Sequence, residues 1–200
     1  MKTVRNLWED IITEENIKAA FFEASKGKRN RNDVKRILNN IDYHVGVVKK
    51  MLEETTPHDK SKGYKPSISS KETINEGTNK KKRKIEKPHY QYDQVIHHVV
   101  MRQLVPYIMK SIYKHVYGSI PKRGAHSGKK TIEKWLRNDP RNTKYCAKLD
   151  IRHFYESVDH SVLKKWLSSK IQDVYLLEIL NRIIDIHVDK TILIRELEDK

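Results

Sequence analysis

Apolar residues recur at helical spacing through the first fifty positions of this chain and then nearly vanish between Thr55 and Lys82. That interruption constrains the fold more than any other feature. By composition alone a stretch with so little to bury separates two apolar regions of the chain. Before the gap, Leu7, Trp8, Ile11 and Ile12 share one helical face. Thr13 opens a Thr-Glu-Glu-Asn run that caps a second helix carrying Ile17, Ala20, Phe21 and Ala24, and Gly27 closes it. Val34, Ile37, Leu38, Ile41, Val45, Val48 and Leu52 mark one longer helix.

The gap itself has two readings. Pro57, Gly63, Pro66 and Gly77, with abundant Ser and Lys, describe a linker. The alternative is a hairpin in which residues 67–74 pair with residues 81–87 across Glu76-Gly77-Thr78-Asn79. Beyond it, Asp93 is placed to cap a helix bearing Val95, Ile96, Val99, Val100, Gln103 and Leu104, which Pro106 ends or restarts. Residues 117–128 read as a loop and residues 131–137 as a short helix broken by Asp139-Pro140. Residues 145–151 read as a short buried strand. Two helices follow, near residues 161–169 and 173–186, the first capped by Asp159.

Charge narrows the partners. The chain has 41 Lys and Arg against 26 Asp and Glu, a formal net charge of +15. Such a field draws polyanions, nucleic acid first and an anionic membrane surface second. The one cysteine, Cys146, excludes an internal disulfide and a thiolate-rich zinc site. No apolar run reaches the roughly 20 residues that span a bilayer. The start carries Glu9 and Asp10 where a secretory signal would be apolar. The expectation is a soluble, cytoplasmic protein with no membrane partner.

The chemistry concentrates in Lys148-Leu149-Asp150-Ile151-Arg152-His153-Phe154-Tyr155-Glu156-Ser157-Val158-Asp159-His160. A carboxylate directly after a short apolar segment, with an aromatic five positions on, suits a metal ligand beside a wall for a sugar. The plainer reading is an aspartate that caps a strand end. A second element is the basic run Lys80-Lys81-Lys82-Arg83-Lys84-Ile85-Glu86-Lys87-Pro88, either a solvated face or a phosphate-binding strip. The third, from Tyr117 to Lys130, is not a nucleotide-binding P-loop. Only three residues separate Gly124 from Gly128-Lys129, and Lys130 stands where Ser or Thr should follow. His97 and His98 are adjacent, so on a helix they point about 100° apart and converge poorly on one ion.

Taken in order, these segments resemble the reverse transcriptases, particularly the bacterial kinds related to group II introns, retrons and diversity-generating elements. The resemblance covers residues 64–186 and is most specific at residues 148–160. It implies an α+β fold: a right-hand polymerase fingers and incomplete palm with an N-terminal helical region. The implied divisions are residues 1–60 for the helical region, 61–143 for the fingers and 144–200 for the first part of the palm. It further implies that Asp150 is catalytic and binds metal, with the Ile151 carbonyl helping, in a two-ion magnesium site. Arg83 would clamp the nucleotide triphosphate, a task suited to a bidentate guanidinium. Tyr155 would pack beneath the incoming sugar and reject a 2′-hydroxyl. Lys81, Lys82, Lys84, Arg123, Lys129 and Lys130 would bind nucleic acid. The implied partners are an RNA template, a DNA or RNA primer, a deoxynucleotide triphosphate and, as a further candidate, a second chain that completes the palm.

The family completes its site with a Tyr-x-Asp-Asp segment, and no adjacent Asp-Asp pair occurs in these 200 residues. The resemblance therefore implies a truncated or split polymerase, nearly inactive as this chain alone. The alternative is a non-catalytic nucleic-acid-binding remnant or subunit.

Overall fold

The structure is a computed structural model that describes residues 3–67, 70–76, 81–152 and 154–186, with the side chains of Glu76, Lys81, Arg83, Lys84 and Glu156 outside that description. It is helix-rich, with a small two-stranded antiparallel sheet, compatible with the α+β class. The chain divides into two compact units. The first comprises residues 1–107 and 159–200, the second residues 108–158.

The first unit is built on the early helices. Helix α1 (Trp8–Ile11) leads into α2 (Glu14–Ala24), where the Thr13 side chain accepts the Asn16 amide, as the sequence predicts. The buried face of α2, Ile17, Ala20, Phe21 and Ala24, packs on the Val45, Val48 and Leu52 face of α4 (Ile41–Glu53). Each such fully buried large side chain contributes roughly 1.5–3 kcal/mol. The predicted single long helix from Val34 to Leu52 is instead two. Helix α3 (Asn32–Asn39) stops at Asn40, whose φ of −127° and ψ of 46° leave the helical region before α4 begins. Apolar periodicity could not reveal the break, because both helices keep their apolar residues facing the same core.

The hydrophobic gap resolves to the hairpin. Strand β1 (Ser70–Glu76) pairs antiparallel with β2 (Lys81–Lys87), with Ser70 opposite Lys87 and Ile74 opposite Arg83. The turn residues Gly77, Thr78 and Asn79 lie outside the described residues. An irregular turn, Tyr90–Gln94, then leads into α5 (Val95–Met109). Asp93 does not cap α5: its carboxylate takes Tyr64 and Ser67 instead. Pro106 does not end the helix either. α5 continues to Met109 with Pro106 inside it, although proline removes one amide bond to the preceding turn and crowds the carbonyl four residues before it.

The first unit closes with α8 (His160–Lys170) and α9 (Val174–Asp185), which pack on each other. Asp159 caps α8 as expected, accepting the amides of Ser161 and Val162. Val4 and Ile171 form an isolated parallel bridge, with Val4 N donating to Lys170 O and Gln172 N donating to Val4 O, each at 2.9 Å.

The second unit holds α6 (Ala125–Asn138), longer than the predicted residues 131–137, and a short α7 (Phe154–Ser157). The predicted buried strand at residues 145–151 does not form. The segment has no regular structure, and Tyr145 and Leu149 are 94% and 90% exposed. A strand needs a partner for its amides and carbonyls. Among the described residues, none pairs with residues 145–151 in a ladder or bridge.

Candidate nucleic-acid interface

Asp150 and Tyr155 stand in the open. Asp150 is exposed, and among the described residues it has no hydrogen-bond or ion-pair partner. Ile151 is 65% exposed and Tyr155 is 90% exposed, with its ring edge-on to Phe154 at 5.3 Å. Among the described residues, no capping or burial task consumes either polar side chain, unlike Asp159 a few residues on.

Arg123, Lys129 and Lys130 sit at the start of α6 in the same unit. The turn before the helix is closed by Arg123 N donating to Ile120 O at 3.0 Å. Its backbone takes positive φ at Ser119 (55°) and Lys122 (64°). Tyr117 fastens this loop to the helix. Its hydroxyl donates to Thr131 Oγ1 at 2.7 Å, and its ring lies where a Cβ on Gly128 would come within 3.3 Å. His115 adds to the fastening, with Nδ1 2.9 Å from the Tyr117 hydroxyl and its ring 4.9 Å from that of Trp135. Gly124 precedes the helix without a side-chain cap, so the first amides of α6 are left to solvent or to an anion. Arg123 Nη1 is buried with no hydrogen-bond partner among the described residues. Lys129 and Lys130 are exposed, Lys129 within 3.7 Å of Glu133 on the same helix.

Residues 108–158 hold twelve Lys and Arg against four Asp and Glu. More than half of the chain's net charge thus falls on a quarter of its length, together with the exposed rings of Tyr113, Trp135, Tyr145 and Tyr155. Cations that follow a phosphate backbone, interleaved with flat rings on which bases stack, are what single-stranded nucleic acid needs. Sequence reading singled out three of these cations. The others escaped because they are scattered along the chain, and only composition within the folded unit gathers them.

Lys81, Lys82, Arg83 and Lys84 all lie on β2 in the first unit. Lys82 is exposed, while the side chains of Lys81, Arg83 and Lys84 are outside the described residues. The base of this hairpin is held by polar groups that sequence reading assigned elsewhere or missed. Buried Asp93 accepts the Tyr64 hydroxyl at 2.8 Å and the Ser67 amide at 3.2 Å through Oδ1, and the Ser67 hydroxyl through Oδ2. Burial, reinforced by the Asp93 charge, pushes the Tyr64 hydroxyl well above the usual phenol range. Arg182, from α9, donates to the carbonyls of Lys62, Tyr64, Thr56 and Asp59 at 2.7–3.3 Å and to Glu178 at 2.7 Å. A small cavity of about 100 Å³ opens beside this cluster, lined by Tyr64, Ser67, Asp93, His97 and Ile183 among others.

Among the described residues no group of three or more His, Cys, Asp or Glu is placed to hold a metal ion. Asp150 and the Ile151 carbonyl do not by themselves form a two-ion centre, which needs further carboxylates. His98 lies 3.8 Å from Glu23, and among the described residues no third ligand joins them. No helix among the described residues is long and apolar enough to cross a membrane. No protein-family model matches the chain, and no curated protein matches it.

Proposed function

We propose that this chain is the fingers and opening palm portion of an RNA-directed DNA polymerase. It grips an RNA template and its primer through backbone charge rather than base sequence. The observation that carries the reading is the exposure of Asp150 and Tyr155 on one short segment, within a unit whose cations outnumber its acids threefold. Among the described residues the aspartate has no structural task and the tyrosine is 90% exposed, which leaves both free to meet a nucleotide. In this reading Asp150 supplies one carboxylate to magnesium, whose further ligands come from outside the described residues, and Tyr155 backs the deoxyribose; the triphosphate-binding role of Arg83 belongs to β2 of the other unit.

The test is magnesium-dependent primer extension on an RNA template. It compares this chain alone with the protein as encoded in full in its genome, and each with Asp150→Asn. Extension by the full protein that Asp150→Asn abolishes supports the reading; extension that survives the substitution removes Asp150 from the site. A second reading, a non-catalytic nucleic-acid-binding subunit, is favoured by the lone carboxylate at residue 150. Salt-sensitive binding of RNA with no extension by either protein selects it.

A further inference from the structure

Both feet of the β1–β2 hairpin are held by two consecutive residues. On the entry side, Ser67 donates its amide to Asp93 Oδ1 at 3.2 Å and its hydroxyl to Asp93 Oδ2. On the exit side, Gln94 Nε2 donates to the Pro88 carbonyl at 2.6 Å. Each holder is itself fixed from behind. Asp93 is only 4% exposed and also accepts the Tyr64 hydroxyl. Gln94 Oε1 accepts the Lys28 ammonium. The Tyr64 carbonyl is in turn one of the four that Arg182 binds.

A two-stranded hairpin is marginal in water on its own. This one is strongly charged: its side chains with partners include the surface pairs Lys71–Glu86 and Lys87–Glu72, which contribute little. Ile74 and Ile85 are only half-buried. The ladder fixes one strand relative to the other, and the hydrogen bonds at the two feet tie the pair to the residues that lead into α5.

We infer that Asp93 and Gln94 are positioning residues, clamping the two ends of the hairpin so that the basic strand β2 is presented to a phosphate group at one fixed orientation. The inference rests on the reading of β2 as a triphosphate-binding strand, and it concerns a role for the Asp93–Gln94 pair separate from core stability. Preorganisation of this kind raises affinity through the fraction of molecules already competent. If the unclamped hairpin is correctly placed one time in ten, affinity falls about tenfold.

The experiment uses the whole chain with Cys146→Ser, carrying spin labels on Thr73→Cys in β1 and Lys50→Cys in α4, both exposed positions of the first unit. Ser67→Ala combined with Gln94→Ala loosens each foot while leaving Asp93 its Tyr64 bond, which spares the core the loss of a buried carboxylate. The expected result is a single narrow label-to-label distance in the parent and a broad distribution in the clamp variant, with thermal unfolding little changed. A purely structural role would lower the unfolding midpoint and leave the distance narrow, and that outcome overturns the inference. Binding of inorganic tripolyphosphate is then measured for the parent, Arg83→Ala, the clamp variant and their combination. The clamp variant should lose about tenfold, because only the correctly placed fraction of molecules binds. An affinity equal to the parent's also overturns the inference. If Arg83→Ala leaves the parent's affinity unchanged, the triphosphate reading of β2 fails, and the distance distribution alone decides whether the clamp exists.

Discussion

Asp173 accepts the backbone amide of Trp8 at 2.8 Å, across 165 positions of sequence. The same oxygen accepts the Leu7 amide at 2.9 Å, and the other accepts Leu176 at 3.2 Å. One buried carboxylate therefore satisfies orphan amides at the starts of both α1 and α9. A helix cap is worth about 1 kcal/mol, and buried amides left unsatisfied cost about 1–3 kcal/mol more. Asp173→Ala should lower unfolding free energy by about 2–4 kcal/mol in urea titration, with Asp173→Asn between it and the parent. A loss below about 1 kcal/mol would show that water replaces the carboxylate without strain.

Arg182 holds the loop before the hairpin as Asp173 holds the ends of the unit. Its guanidinium reaches four carbonyls and Glu178 at once, a geometry an ammonium cannot reproduce. Arg182→Ala also strands Glu178, which is buried, and should cost about 3–5 kcal/mol. Arg182→Lys should recover little of that loss. Limited trypsin digestion should cut faster at Lys60 and Lys62 in both variants. An unchanged cleavage rate would mean that the loop keeps its shape without the arginine.

Alkali should unfold the first unit through its buried phenols. Burial, with a further push from Asp33, raises the Tyr90 hydroxyl from 10.0 to about 12, and Tyr64 moves the same way. The unfolded chain loses these protons first, so the stabilisation is complete below pH 10 and is lost as pH rises through 12. Tyr90→Phe forfeits the bond to the Phe21 carbonyl at 3.1 Å but should flatten the fall between pH 10 and 12. On the acid side, burial and then Arg36 lower the His44 value below 6.5, so its contribution is present above 6.5 and fades as pH falls through the lowered value. Unfolding midpoints measured across both windows check the two signs, and a Tyr90→Phe curve parallel to the parent's would refute the first.

Nucleic-acid affinity should fall steeply as salt rises. A plot of log affinity against log salt loses about 0.7–0.9 of its slope for each phosphate contact removed. Lys129→Ala with Lys130→Ala should therefore flatten the slope by up to about 1.8, equally for unrelated RNA sequences. A slope the double variant leaves unchanged would remove the start of α6 from the interface.

Asp150→Asn and Tyr155→Ala should leave stability within about 0.5 kcal/mol of the parent, because neither side chain is buried or bonded among the described residues. Chemical denaturation checks this directly. A large loss from Asp150→Asn would assign the residue a structural task and weaken the polymerase reading.

The helices that carry a repeating apolar face were legible before any coordinates. The face of α2 and the caps Thr13 and Asp159 all stand where spacing and side-chain chemistry put them. The hairpin was one of two open readings, since its alternation is poor and its side chains are mostly charged. The strand at residues 145–151 went the other way. Its short apolar run fitted a buried strand, but extended backbone becomes a strand only when a neighbour supplies hydrogen bonds.

What the amino acids determined without help is whatever is local: helix faces 3.6 residues apart, caps one turn from their amides, and a basic balance that calls for an anionic partner. Tertiary structure alone decided which polar groups would be spent on the fold and which left exposed. Asp93, Asp173 and Arg182 gave no local sign of their distant partners, the Tyr64 hydroxyl, the Trp8 amide and the Thr56 carbonyl, which lie far along the chain. Asp150 differs from Asp173 only in what the folded chain brings beside it, and a carboxylate's role follows from the donors within about 3 Å.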